Sequence, residues 1–181
     1  MCPGVFAKPG TGFVADRPSG YRGQGFSLRG EKGRYVLPPS FRKVFADNND
    51  ERVLCLAKHE KYPCLTAFGL SRTDGFEDQL DKEEESAIRR GVDFDRDLRS
   101  MQLWGFTEVP FDSSGRFILP DHLSDLGGLA DAIYFQGGGQ FITLWDPRRL
   151  QAMGAGFENA QAACRTMAAD ADAKGARGKR K

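Results

Sequence analysis

The sequence predicts an α+β fold built from one unit used twice, and three observations predict it. First, Gly33-Arg34-Tyr35-Val36-Leu37-Pro38 recurs as Gly115-Arg116-Phe117-Ile118-Leu119-Pro120, position for position in chemical type. Second, each occurrence is followed by two short apolar runs, VLCLA (53–57) and CLTAF (64–68) in the first and AIYFQ (132–136) and FITLW (141–145) in the second. Paired runs of this kind across a short polar or glycine-rich connection are hairpins. Third, each hairpin leads into residues at helical spacing with a start signal of their own. A repeat at this scale organises the whole chain and is settled before any single motif.

The elements follow in order. Residues 1–20 hold four glycines and three prolines without periodicity and read as a flexible arm. Gly10-Thr11-Gly12 within it follows no strand and lacks a third glycine, so it is no dinucleotide loop. The first repeat occupies 21–104 with its helices. It opens with a turn at 30–33, a strand, a Pro38-Pro39 break and a helical turn through Phe41, then the hairpin connected by KHEKYP. Ser71-x-x-Asp74 resembles a capping box and predicts a helix start there, with Phe76 and Leu80 on its apolar face. Gly91 ends that helix, and a second runs from about Asp95 to Leu103. The second repeat occupies 105–169, with its hairpin connected by a run of three glycines. Asp146 is a good N-cap and Pro147 suits the first helical position. Leu150, Met153, Phe157, Ala160, Cys164 and Met167 then predict one apolar stripe on a single helix of about twenty residues. Residues 170–181, rich in Ala, Gly and Lys, read as a basic disordered tail.

Composition bounds the function through distribution, not total. The chain has 26 Lys and Arg against 25 Asp and Glu, a net charge of +1. Yet 29–43 holds Arg29, Lys32, Arg34, Arg42 and Lys43 against Glu31 alone, while 72–99 holds ten acids against six bases. Charge sorted in this way lets a local cluster bind a polyanion although the sum is near zero. No secretory leader or membrane-length apolar run is present, so Cys2, Cys55, Cys64 and Cys164 are expected as free thiols in a reducing compartment. Cys55-x3-His59-x4-Cys64 lacks a suitably spaced fourth ligand and sits in apolar runs, so it reads as core thiols, not a zinc site.

The repeated turn carries the candidate chemistry. Asp112-Ser113-Ser114-Gly115 has the residues of a type I turn, with an aspartate that can bond back to the backbone and a glycine at the last position. Arg116 stands at the mouth of the following strand, where Asp112 can either hold its guanidinium or leave the donors free for phosphate. Gly33, Asp112 and Gly115 are thus the turn-organising residues. The copies differ at one point: Gly30 stands where the second copy has Asp112, so Arg34 lacks a matched carboxylate. Lys32 and Arg29 make the first turn the more basic of the two.

In sum these motifs resemble the MraZ family, whose chains carry two SpoVT-AbrB-like repeats. The resemblance rests on YRG (21–23), KGRYVLPPSFR (32–42), YPCLTAF (62–68), DSSGRFILP (112–120) and LWDP (144–147), and covers about Tyr21 to Leu150. Gly30 and the arm 1–20 depart from the family pattern. The resemblance implies two tandem AbrB-like, swapped-hairpin-like β units in pseudo-twofold arrangement, each followed by helix. It implies a cytoplasmic, nucleoid-associated transcriptional regulator that binds double-stranded DNA at short direct repeats in the promoter of the division and cell-wall gene cluster. It also implies a homo-oligomeric ring with no cofactor, membrane partner or small-molecule substrate. The basic loop and motif arginine map onto Lys32, Arg34 and Arg116. By charge and position, Arg34 and then Arg29 are the candidates for a guanine edge, and Lys32, Arg42 and Arg22 for phosphates.

The alternative class is a β-rich assembly protein whose arginine turns serve subunit contacts, with apolar helix faces at 76–103 and 147–168 as its surfaces. Nothing in the chain predicts an enzyme. His59 and His122 have no evident partners in sequence, and no nucleophile or metal-ligand motif occurs.

Overall fold

The computed structural model describes residues 20–178, so most of the arm expected over 1–20 and the final three residues lie outside the described residues. The first copy contributes β1 (Gln24–Leu28), β2 (Arg34–Val36), α1 (Pro39–Asp47), β3 (Val53–Lys58), β4 (Leu65–Phe68), α2 (Phe76–Arg90) and α3 (Arg96–Trp104). The second contributes β5 (Thr107–Pro110), β6 (Arg116–Ile118), α4 (Asp121–Gly127), β7 (Ala132–Gly137), β8 (Ile142–Trp145), α5 (Pro147–Gln151) and α6 (Glu158–Gly178).

The two copies share their strands. One antiparallel sheet has the order β1-β7-β8-β4-β3-β5, and a second, two-stranded sheet pairs β2 with β6. Exchanging the copies, β1 for β5, β3 for β7 and β4 for β8, returns the same order reversed. The first strand of each copy therefore lies against the hairpin of the other, with Phe26 opposite Tyr134 and Leu54 opposite Val109. Neither copy closes a sheet alone. An edge left with unpaired amides is unfavourable when buried, and the exchange pairs them.

Alternation along the strands builds the core. Ile133 and Phe135 of β7 join Tyr35, Phe41, Phe45, Leu54, Leu65, Phe117 and Leu144 in the main cluster. Tyr134, between them in sequence, points into a second cluster with Cys64, Trp145, Leu150 and Cys164. Period-two alternation thus divides one strand between two cores. Cys55, Cys64 and Cys164 are free and buried, as the apolar runs around them predict.

Three expectations are corrected. The capping box at Ser71 does not form: Leu70–Gly75 is a 3-10 turn, and α2 begins at Phe76 with Gly75 as its N-cap. Ser71 instead donates from its amide to Asp50 Oδ1 at 2.7 Å and from its hydroxyl to Oδ2 at 2.8 Å, so the carboxylate following α1 engages it in place of the helix amides. The single long C-terminal helix is two, α5 and α6, since Gly154 and Gly156 intervene and Gly156 sits at φ +98°. Its stripe nonetheless packs together, with Met153, Phe157, Ala160 and Met167 against Leu150 and Cys164. The tail expected to be disordered from 170 is helical through Gly178, consistent with the high helix propensity of its alanines.

The remaining helix signals form as expected. Asp146 accepts from the amides of Arg148 and Arg149 at the start of α5, Asp95 accepts from that of Leu98 at the start of α3, and Gly91 ends α2 in the left-handed conformation. Ion pairs tie α2 to α3, with Arg99 Nε on Glu83 at 2.6 Å and Arg96 Nη1 on Glu84 at 2.8 Å. The Arg99 hydrogen bond holds the Glu83 carboxyl below its usual range.

Candidate nucleic-acid interface

The β2–β6 ribbon brings the two repeated motifs together, which the linear sequence could not show. Arg34 lies opposite Ile118, Tyr35 opposite Phe117 and Val36 opposite Arg116. Tyr35 and Phe117 turn inward, both 2% exposed, with ring centroids 5.9 Å apart. Arg34, Val36, Arg116 and Ile118 all lie on the outer face and are exposed. Strand geometry sets the two arginine Cα atoms about 8 Å apart on the diagonal of that face. The Arg-aromatic-β-branched triplet of each strand is the reason: alternation buries the middle residue and presents its neighbours. Pro38 and Pro120 then end the strands and cap α1 and α4.

The second turn is held from within. The Gly115 amide donates to the Asp112 carbonyl at 2.8 Å, and Gly115 adopts φ +82°. Asp112 Oδ1 accepts from the amides of Ser114 and Arg116, each at 2.9 Å. Its Oδ2 accepts from Arg116 Nε at 2.8 Å. The Arg116 amide, then its guanidinium and the Ser114 amide, hold the Asp112 carboxyl below the usual carboxylate range. Of the two arrangements open to the motif, the turn adopts the one in which the carboxylate grips the arginine through Nε, and no other protein group bonds the guanidinium among the described residues.

The first turn has the same backbone frame without that grip. The Gly30 amide donates to the Arg34 carbonyl at 2.8 Å, as Asp112 does to Arg116 at 3.0 Å. Without a carboxylate at position 30 to gather the next amides, the turn settles differently: Lys32 is at φ +58° and Gly33 at φ +70°, both left-handed. Only two non-glycine residues among those described have positive φ, and Lys32 is one. Arg29 lies over Gly33, so close that a Cβ there would meet its Nη2 at 3.2 Å. Among the described residues the Arg34 guanidinium has no hydrogen bond or ion pair, and the carboxylate of Glu31, the near acid, does not reach it. Arg34 is thus exposed and unheld, whereas Arg116 is exposed and held.

Arg42 and Arg22 lie elsewhere. Arg22 is exposed, just before β1. Arg42, on α1, reaches the opposite copy and donates from Nη1 to the Ser113 carbonyl at 3.0 Å. The sequence reading missed Val36 and Ile118 as members of this face, although the alternation in RYV and RFI already places them beside the arginines. It also missed the Arg42–Ser113 contact, for which the sequence carries no signal because it crosses between copies.

Elsewhere the titratable groups have ordinary structural roles. His59 Nδ1 accepts from the amides of Lys61 and Tyr62, and burial lowers its affinity for a proton. His122 is within 3.3 Å of the Thr107 hydroxyl. Among the described residues no group of three or more His, Cys, Asp or Glu could hold a metal ion, and no helix is long and apolar enough to cross a membrane.

No protein-family model matches the chain. Curated relatives do. A "Transcriptional regulator MraZ" of Caulobacter vibrioides is 30% identical over 121 residues, spanning 67% of this chain and 73% of the relative. Proteins of the same name from Parvibaculum lavamentivorans and Rhizobium rhizogenes are each 28% identical, over 127 and 125 residues, spanning 76% and 80% of their lengths. With one relative 30% identical across 73% of its length and others of the same name at 28%, the chain belongs to the MraZ family of transcriptional regulators.

Proposed function

We propose that the protein is a sequence-specific DNA-binding regulator that applies the outer face of the β2–β6 ribbon to the major groove. One observation carries this reading: the two motif arginines, far apart in sequence, stand on one exposed face beside the most basic turn of the chain. A two-stranded ribbon is one of the elements a major groove admits, and arginine on guanine is the commonest specific contact there. Arg34 and Arg116 are assigned to base edges, Lys32 and Arg29 to flanking phosphates. Val36 and Ile118 supply apolar contact of the kind a thymine methyl offers.

One ribbon makes a small contact, and each neutralised phosphate adds a modest, salt-sensitive increment. Several ribbons on one assembly gain through effective concentration when the DNA repeats its half-sites. We therefore read the active form as a ring oligomer on short direct repeats, acting at the promoter of the division and cell-wall gene cluster and associated with the nucleoid. Ile88, Val92, Leu98, Met101 and Trp104, exposed on the α2–α3 hairpin, favour assembly and keep the reading of a pure assembly protein in play. In the same reading the duplicated units are AbrB-like and swapped-hairpin-like, which the exchange of strands between copies supports.

The test is fluorescence anisotropy on a duplex carrying direct repeats from that promoter and on a scrambled duplex, across a salt series. The reading expects preference for the repeats, steep salt dependence and loss of the preference in Arg34→Ala. Equal affinity of Arg34→Ala and wild type for both duplexes rejects the site. Retained assembly without DNA affinity at low salt leaves the assembly protein.

A further inference from the structure

We propose that Arg42 is a positioning residue for the second turn: it reaches across from the first copy and fixes how Arg116 is presented. Its effect on DNA rests on the function proposed above; its effect on the turn does not. Arg42 Nη1 donates to the Ser113 carbonyl at 3.0 Å, in the middle of the turn that Asp112 organises. The stem lies against the next glycine, since a Cβ on Gly115 would stand 2.7 Å from Arg42 Cδ and 3.0 Å from its Nε. The Leu37 amide, from the same copy as Arg42, donates to the Gly115 carbonyl at 2.8 Å. The turn is therefore clasped from the first copy at two carbonyls, those of Ser113 and Gly115, and over its glycine.

Arg42 is poorly placed to serve as a simple phosphate contact. Its Nε is sealed from solvent and has no partner. A buried, unpaired donor on a charged group is unfavourable, so other contacts fix the side chain, and those contacts are with the turn. The first turn has no such clasp. The position matching Arg42 in α4 is Ser124, whose hydroxyl donates to the Leu129 carbonyl of its own copy. Arg29, just after β1, covers Gly33 instead. The two turns are thus braced differently: the second by a carboxylate and a cross-copy arginine, the first by neither.

The experiment uses Arg42→Met, which keeps an unbranched stem without donors, and Arg42→Lys, which keeps the charge without the fork. In the free protein, amide exchange by NMR is expected to speed up about tenfold at Ser114, Gly115, Arg116 and Leu37, a change of about 1.4 kcal/mol, and to stay unchanged at Gly33. On repeat DNA, Arg42→Met is expected to weaken binding about tenfold in the wild-type background and to have no further effect in Arg116→Ala, because coupled residues are non-additive. Unchanged exchange at the second turn overturns the proposal. So do additive losses with Arg116→Ala, or binding restored by Arg42→Lys while exchange stays fast, since either makes Arg42 a direct phosphate contact. If no form of the protein binds the duplex, the DNA reading fails, and the exchange measurement alone decides the positioning role.

Discussion

Replacing Lys32 with glycine is expected to move stability and DNA affinity in opposite directions. Lys32 is held at φ +58°, ψ +26° in an exposed turn. A left-handed conformation costs a residue with a Cβ about 1–2 kcal/mol. Glycine removes that cost but loses about 0.4–1 kcal/mol through the extra freedom of its unfolded chain. The net expectation for Lys32→Gly is stabilisation of about 0.5–1 kcal/mol, a rise in Tm of about 2 °C for a chain of this size. The same change removes one cation from the most basic turn, so the slope of log K against log salt becomes shallower by about 0.9 for each chain engaged. The control is Ser114→Gly in the second turn, where the replaced residue does not have positive φ. It gains no relief and is expected to destabilise. Scanning calorimetry of both variants and an anisotropy salt series of Lys32→Gly are the assays. A lower Tm for Lys32→Gly refutes the strain argument, and an unchanged salt slope refutes the placement of Lys32 on phosphate.

Other expectations concern the same turns and the core. Asp112 is held below its ordinary pKa, so its contribution is complete above the usual carboxylate range and is lost as pH falls through the depressed value. The stability gap between wild type and Asp112→Asn is therefore expected to be constant near neutrality and to close only below about pH 4, which urea titrations across pH would show. Gly156→Ala meets no atom within 4 Å but carries φ +98°, so it is expected to cost about 1–3 kcal/mol through the backbone alone. Gly154→Ala, equally open and without positive φ, is expected to change Tm little. Burial pushes the Cys55 and Cys64 thiols up to about 12, and raises that of Cys164. Peptide mapping after thiol labelling at about pH 8 is expected to find all three unmodified in the native protein and modified in denaturant.

Much of this fold was legible because repetition and alternation are local properties. The matched GR-aromatic-aliphatic-Leu-Pro segments located the strands of the ribbon, and Asp146, Pro147 and Gly91 marked helix ends through chemistry that acts within four residues. The misreadings have separate causes. Ser71 had a partner at Asp50, distant in sequence, that outcompeted the helix amides. The stripe from Leu150 to Met167 was read as continuous because apolar spacing survives a break that Gly156 turns back onto the same core. The alanine-rich segment after 169 combined few large apolar residues with good helix propensity, and propensity prevailed. At the candidate site, sequence named Arg34 and Arg116 individually, and the missing carboxylate at Gly30 foretold that they would be held differently. That they share a face depends on strand exchange between the copies, a non-local pairing that no window of sequence contains. The Arg42 clasp depends on it as well.

Site-directed photocrosslinking tests the central claim most directly. A photoreactive side chain at Ile118 sits opposite Arg34 on the outer face of the ribbon, whereas one at Met101 sits on the α2–α3 hairpin, and both positions are exposed. On repeat DNA the account predicts crosslinks to bases from position 118 and none from position 101. Crosslinks from position 101 with none from position 118 would contradict it and place the DNA on the helical hairpin.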